Sequence, residues 1–105
     1  MIKIVIKRDV SSQKITSIEV KGHANSDDYG KDLVCAAVST VITGGMNALQ
    51  DKEYDFKLDE GHAYIKALDI PSDYDAVVLK TIEIQLKTIE ESNHKYVQIE
   101  NLYKG

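Results

Sequence analysis

At the start of the chain Ile2, Ile4 and Ile6 point to one side and Lys3 and Lys7 to the other. That period of two is the mark of a half-buried strand, and it sets the kind of fold the rest must complete. Arg8 to Gln13 are polar, and from Ile15 to Lys21 the residues Thr16, Ile18 and Val20 alternate with Ser17, Glu19 and Lys21, which predicts a hairpin. The period returns where Tyr54, Phe56 and Leu58 alternate with Asp55, Lys57 and Asp59. After Glu60-Gly61 it continues through Ala63, Ile65 and Ala67, a second hairpin. Tyr96 to Leu102, with Val97 and Ile99 against Gln98 and Glu100, read as a last strand.

Two stretches between these strands carry a helical period. The first opens at Leu33 and runs to Leu49 with Asp32 as its N-cap. A wheel puts Val34, Val38, Val41, Gly45 and Leu49 on the core side, with Cys35, Ser39, Ile42 and Met46 on a separate stripe at its border. Gly44-Gly45 inside it cost up to about 1 kcal/mol each relative to Ala, which predicts close approach of another backbone. The second helix begins after Pro71, with Ser72 as cap and Asp75 at its third position. Its buried face is Tyr74, Val78, Leu79, Ile82, Leu86 and Ile89, while Lys80, Glu83, Lys87 and Glu90 read as a solvated face. The resulting order is ββαββαβ, an α+β fold with a mainly antiparallel sheet and two helices packed on one side of it. Strands one and five are the expected sheet edges.

The 105 residues suit a single domain, 1–105, large enough for one core without staples. One cysteine excludes an internal disulfide, a two-cysteine redox cycle and any multi-cysteine metal site, and it suits a reducing compartment. No metal or other cofactor is expected. The apolar N-terminal run is too short for a signal peptide or a membrane span, so a cytoplasmic protein without membrane attachment is expected. A net charge of −4 argues against direct nucleic-acid binding and fits a basic partner.

Chemistry concentrates between Gly22 and Gly45, where a histidine, a polar loop and the cysteine follow one another. With Asp32 as cap, Cys35 falls in the first helical turn, where free N–H groups and the helix dipole favour a thiolate. An imidazolium nearby would lower the thiol pKa further, and the Asp32 charge would oppose it. His23 lies just past the end of the first hairpin. The alternative for Cys35 is a small buried hydrophobe. Asp32 either orients His23 or only caps the helix, and Ser39 either approaches the thiol or bonds back to the carbonyl one turn earlier. Gly-His-Ala recurs at Gly61-His62-Ala63, where a tight turn and an exposed strand start explain it, and His94 follows the negative end of the second helix.

Gly22-His23-Ala24, the acidic glycine-containing loop, and Asp32-Leu33-Val34-Cys35-Ala36-Ala37-Val38-Ser39 resemble the bacterial ribosomal processing cysteine protease family, often called Prp. The resemblance implies His23 and Cys35 as the catalytic pair, with Gly22, Asp32 and Ser39 matching the remaining motif positions. It also implies an enzyme that removes the N-terminal extension of large-subunit ribosomal protein twenty-seven, and a homodimer. Backbone N–H groups at the helix start are the expected oxyanion donors. Residues 24–31, including Asp27, Tyr29 and Gly30, are expected to form a lid that closes over the peptide. Two other classes use the same residues differently: a non-catalytic ribosome-assembly or protein-binding module with Cys35 buried, and a one-cysteine redox sensor.

Overall fold

The computed structural model describes residues 1–22 and 29–104, with residues 29–32 described by their backbone alone. The elements follow the expected order: β1 Ile2–Asp9, β2 Ile15–Lys21, α1 Tyr29–Ala48, β3 Tyr54–Asp59, β4 His62–Ala67, α2 Asp73–Ser92 and β5 Val97–Lys104. The strands form one sheet in the order β3-β4-β2-β1-β5. Each neighbouring pair is antiparallel except β1 and β5, which run parallel with Ile2 beside Val97. β5 is an edge, as expected. β1 is not: its run of three isoleucines, all buried, occupies the second position from that edge, where strands on both sides shield it.

Both helices cover the sheet face that carries Ile2, Ile4, Ile6, Ile18, Val20, Ala63 and Ile65. Val34, Val38 and Ile42 of α1 and Leu79, Ile82 and Leu86 of α2 complete the core. Burying such side chains contributes roughly 1.5–3 kcal/mol each before the entropy of ordering them is set against it. Ile42, placed by the wheel on the Cys35 stripe, is in the core, whereas Val41 is only partly buried. The core face of α1 is thus rotated toward Cys35. Val41 and Gly45 instead border the groove between the helices.

Gly45 is needed because the Ile82 side chain lies where a Cβ would stand, while Gly44 faces open space. The close neighbour is therefore a side chain of α2 rather than a backbone. Ser72 caps α2 by accepting a hydrogen bond from the Asp75 backbone N–H. Asp75 is itself buried, and its carboxylate accepts from the Gln50 and Asp51 N–H groups at 2.9 Å each and from the Tyr54 hydroxyl at 2.8 Å. One side chain thereby fastens the start of α2 to the chain leaving α1. Burial pushes the Asp75 carboxyl up, and those hydrogen bonds outweigh it, leaving it below the usual carboxylate range.

The expected solvated face of α2 needs a correction at Glu83, which is fully buried. It pairs with Arg8, and Lys80 and Lys87 lie at 3.0 and 3.5 Å. Arg8 also donates to the Asn101 side chain. A helical charge pattern cannot reveal this, because the partner that makes burial tolerable sits on β1. Tyr74, assigned to the buried face, is exposed beside the inter-helix groove. No described helix is long and apolar enough to cross a membrane.

Candidate active site

Cys35 is half-buried on α1, beside the buried Val34 and Val38 that anchor the helix to the sheet. It lines a pocket of about 180 Å³ together with Val38, Ser39 and Ile42 of α1. The facing wall comes from Ile2, Val20 and Gly22, and from Leu58 to Ala63 around the β3–β4 turn. Ser39, one turn after Cys35, is exposed at the rim. Much of the lining is apolar, from Ile2, Val20, Val38, Ile42 and Leu58, and the exposed Asp59 and Glu60 add acidic groups to it.

The helix start differs from expectation. α1 begins at Tyr29, which places Asp32 inside the helix rather than at its cap and Cys35 in the second turn. Tyr29 and Gly30 belong to the first turn and not to a loop. Polar residues are well tolerated in a first turn, whose N–H groups are unpaired in any case, so the apolar period that marks a helix began one turn late. The dipole's influence falls off within that turn, and the free N–H groups lie nearer the helix start than the thiol does. His23 and Asp27 fall outside the described residues, as do the side chains of Tyr29 and Asp32.

Gly22, immediately before His23, is held by its surroundings. Its φ is +134°, and a Cβ there would collide with the Met1 carbonyl oxygen. Its N–H donates to the Gly61 carbonyl at 3.0 Å. The glycines that open the two Gly-His-Ala copies are thus direct neighbours, joined where β2 pairs with β4 and Val20 lies opposite Ala63.

His62 belongs to the facing wall of the pocket, but its Nε2 is engaged by Glu19. Val20 and Ala63 face the core, so alternation turns the His62 and Glu19 side chains to the open face of the sheet. There His62 Nε2 and Glu19 Oε2 are 2.6 Å apart, and the Lys66 and Lys21 ammonium groups lie at 3.8 and 3.9 Å from the same carboxylate. The hydrogen bond with His62, helped by the two lysines against a smaller effect of burial, holds the Glu19 carboxyl below its ordinary range. Among the described residues no group of His, Cys, Asp and Glu could hold a metal ion.

Residues 1–98 match the family model for cysteine protease Prp. The chain is 34% identical over 91 residues to the ribosomal processing cysteine protease Prp of Staphylococcus aureus strain Mu50, covering 82% of this chain and 86% of that protein. It is 35% identical over 98 residues to the protein of the same name from Mycoplasma genitalium, covering 90% and 94%. Its fold is similar to that of the S. aureus protease solved with a substrate peptide, with a TM-score of 0.85 at 31% identity over 99% of this chain and 100% of that one. The S. aureus protease solved with a covalently linked product peptide is similar at a TM-score of 0.82 and 33% identity, with the same coverage. A half-sheltered cysteine on the helix that borders the pocket, within this fold and at this level of identity, makes the chain a cysteine protease that belongs to the Prp family.

Proposed function

We propose that this protease removes the N-terminal extension of large-subunit ribosomal protein twenty-seven, with Cys35 as nucleophile and His23 as its base. The observation that carries the reading is the position of Cys35 at a pocket whose other wall includes Gly22. Gly22, the residue before His23 in the sequence, is fixed on that wall against Met1 and Gly61, which supports His23 as the base. The second histidine of the repeated tripeptide is engaged with Glu19 on the far face and does not compete.

The thiolate of Cys35 attacks the scissile carbonyl carbon, forming a C–S bond as the carbonyl electrons move onto oxygen. Collapse of that intermediate breaks the C–N bond, and the His23 imidazolium delivers its proton to the departing amine. Water then attacks the thioester with His23 accepting its proton, and the thiolate returns. Since Cys35 is a turn into the helix, the imidazolium rather than the helix dipole is the main source of thiolate stabilisation. Gly22 positions the base, Ser39 borders the thiol, and Asp32 lies one turn before the thiol on the same helix.

The same reading makes the protein a single cytoplasmic domain over residues 1–105 that acts as a homodimer on a basic ribosomal partner, without binding nucleic acid directly. The net charge of −4 supports attraction to such a partner. A groove of about 540 Å³ between α1 and α2, bordered by exposed Tyr74 and Val77, supports association of two copies. Incubation with the extended and the shortened ribosomal protein, read by intact mass, tests the function. Loss of the extension from the first with no change in the second is expected; an uncut extended form overturns the substrate assignment.

A further inference from the structure

We infer that the substrate peptide binds as a sixth strand along the free edge of β3. The inference rests on the proteolytic reading above and adds where the peptide lies.

β3 ends the sheet, so among the described residues one side of its backbone has no strand partner. The other edge strand, β5, is treated differently: the Glu90 carboxylate accepts a hydrogen bond from the Ile99 N–H at 2.7 Å, and α2 packs beside that strand. An uncovered edge is a template for strand addition unless charge, a bulge or a covering element blocks it. Register identifies the side chains that such a peptide would meet. Phe56 lies opposite the buried Ile65, and Leu58 opposite the buried Ala63, so both point to the helix-covered side of the sheet. Yet they are 45% and 51% exposed, unlike the buried Ile65 and Ala63 beside them on β4. Tyr54 continues the row, stacked on Phe56 with ring centroids 5.4 Å apart.

Leu58 joins this apolar row to the thiol, since it lines the same pocket as Cys35. An extended peptide beside β3 would place every second side chain on the row of Tyr54, Phe56 and Leu58. Its backbone would pair with the strand, and the chain would run into the Cys35 pocket. Main-chain pairing supplies affinity in this mode and the alternate pockets supply selectivity. The continuity of the row with the site is what favours a peptide over a second copy of the protein as the occupant.

The test uses full-length Cys35→Ala and a peptide spanning the junction between the extension and the mature ribosomal protein. NMR hydrogen exchange should show every second amide of residues 54–59 exchanging at least ten times more slowly with the peptide bound. Single N-methylation along the peptide should weaken binding at alternate positions only. Phe56→Ser in the otherwise native enzyme should raise KM for the long peptide several-fold with kcat little changed, and should leave alkylation of Cys35 by iodoacetamide unaltered. Uniform tolerance of N-methylation, or β3 amides untouched by bound peptide, overturns the inference while leaving the protease reading intact. Concentration-dependent protection of β3 without peptide assigns the edge to a second copy and overturns it as well. A peptide that neither binds Cys35→Ala nor is cut by the native enzyme overturns the inference and the substrate assignment together.

Discussion

Arg8 of β1 and Glu83 of α2 form an ion pair that joins the sheet to a helix inside the protein, and the guanidinium also donates a hydrogen bond to the Asn101 side chain of β5. Burial raises the Glu83 pKa, but the hydrogen bonds from Arg8 and Lys80 and their charges outweigh it and leave it below the ordinary value. A folded-state pKa below the unfolded one means that the stabilisation is present above the unfolded value and is lost as pH falls through the folded one. Glu83→Ala should cost about 3–5 kcal/mol, because it strands Arg8. Arg8→Met with Glu83→Leu should be less destabilised than either single change. The native protein should lose stability below about pH 4.5, and the double variant should lose less of it there, as followed by urea unfolding across pH.

The two adjacent glycines of α1 should respond in opposite directions. Gly44→Ala adds a methyl group to open space and should stabilise the protein by up to about 1 kcal/mol. Gly45→Ala meets the buried Ile82 side chain and should destabilise, with Ile82→Val recovering part of the loss. Thermal unfolding of the three variants gives the signs directly.

Gly22→Ala should damage both stability and turnover. The left-handed φ and the collision with the Met1 carbonyl oxygen together imply a loss of about 1–3 kcal/mol. Because His23 follows, kcat should fall further than the unfolded fraction explains. A variant that is destabilised but fully active per folded molecule would show that Gly22 does not position the base.

Cys35→Ala should abolish cleavage and leave the unfolding midpoint within about 1 kcal/mol of native, since a half-buried thiol has little packing to lose. His23→Ala should return the thiol pKa toward about 8.5, seen in the pH profile of iodoacetamide alkylation. His62→Ala should leave that profile unchanged and instead release Glu19, raising its carboxyl toward the ordinary range. Reversed behaviour of the two histidines would falsify the choice between the Gly-His-Ala copies.

The strands and helices were legible because each has a clean period: the isoleucines of β1, the Tyr54-Phe56-Leu58 alternation, and the Ser72 cap of α2. What escaped the sequence depended on partners far along the chain. Glu83 looks like any surface acid until Arg8 is placed beside it, and β1 looks like an edge until β5 returns parallel to it. The start of α1 escaped for a local reason, since Tyr29 to Asp32 carry no apolar period although they are helical. For the site, the spacing of His23 and Cys35 is a weak signal alone, and it was the likeness of the Gly22-His23-Ala24 and Asp32-to-Ser39 segments to the Prp motif that nominated the pair. Leu58 and Ala63 were not nominated, because only the pairing of β2 with β4 brings the second hairpin to the thiol.

The parallel return of β5 has a consequence for how the protein is made. Arg8 and Asn101 are separated by 93 positions yet hydrogen-bonded, so β1 lacks one neighbour until nearly everything else has been synthesised. Local pairing can form both hairpins early, whereas the long-range closure must wait for the last strand. During that interval the isoleucine-rich strand has an open side. The N–H of Ile2, which donates to the Tyr96 carbonyl at 2.7 Å in the finished fold, also waits, and with it the Met1 backbone against which Gly22 is set. Until β5 pairs, the Met1 backbone that backs Gly22 on the wall opposite the cysteine therefore lacks its anchor.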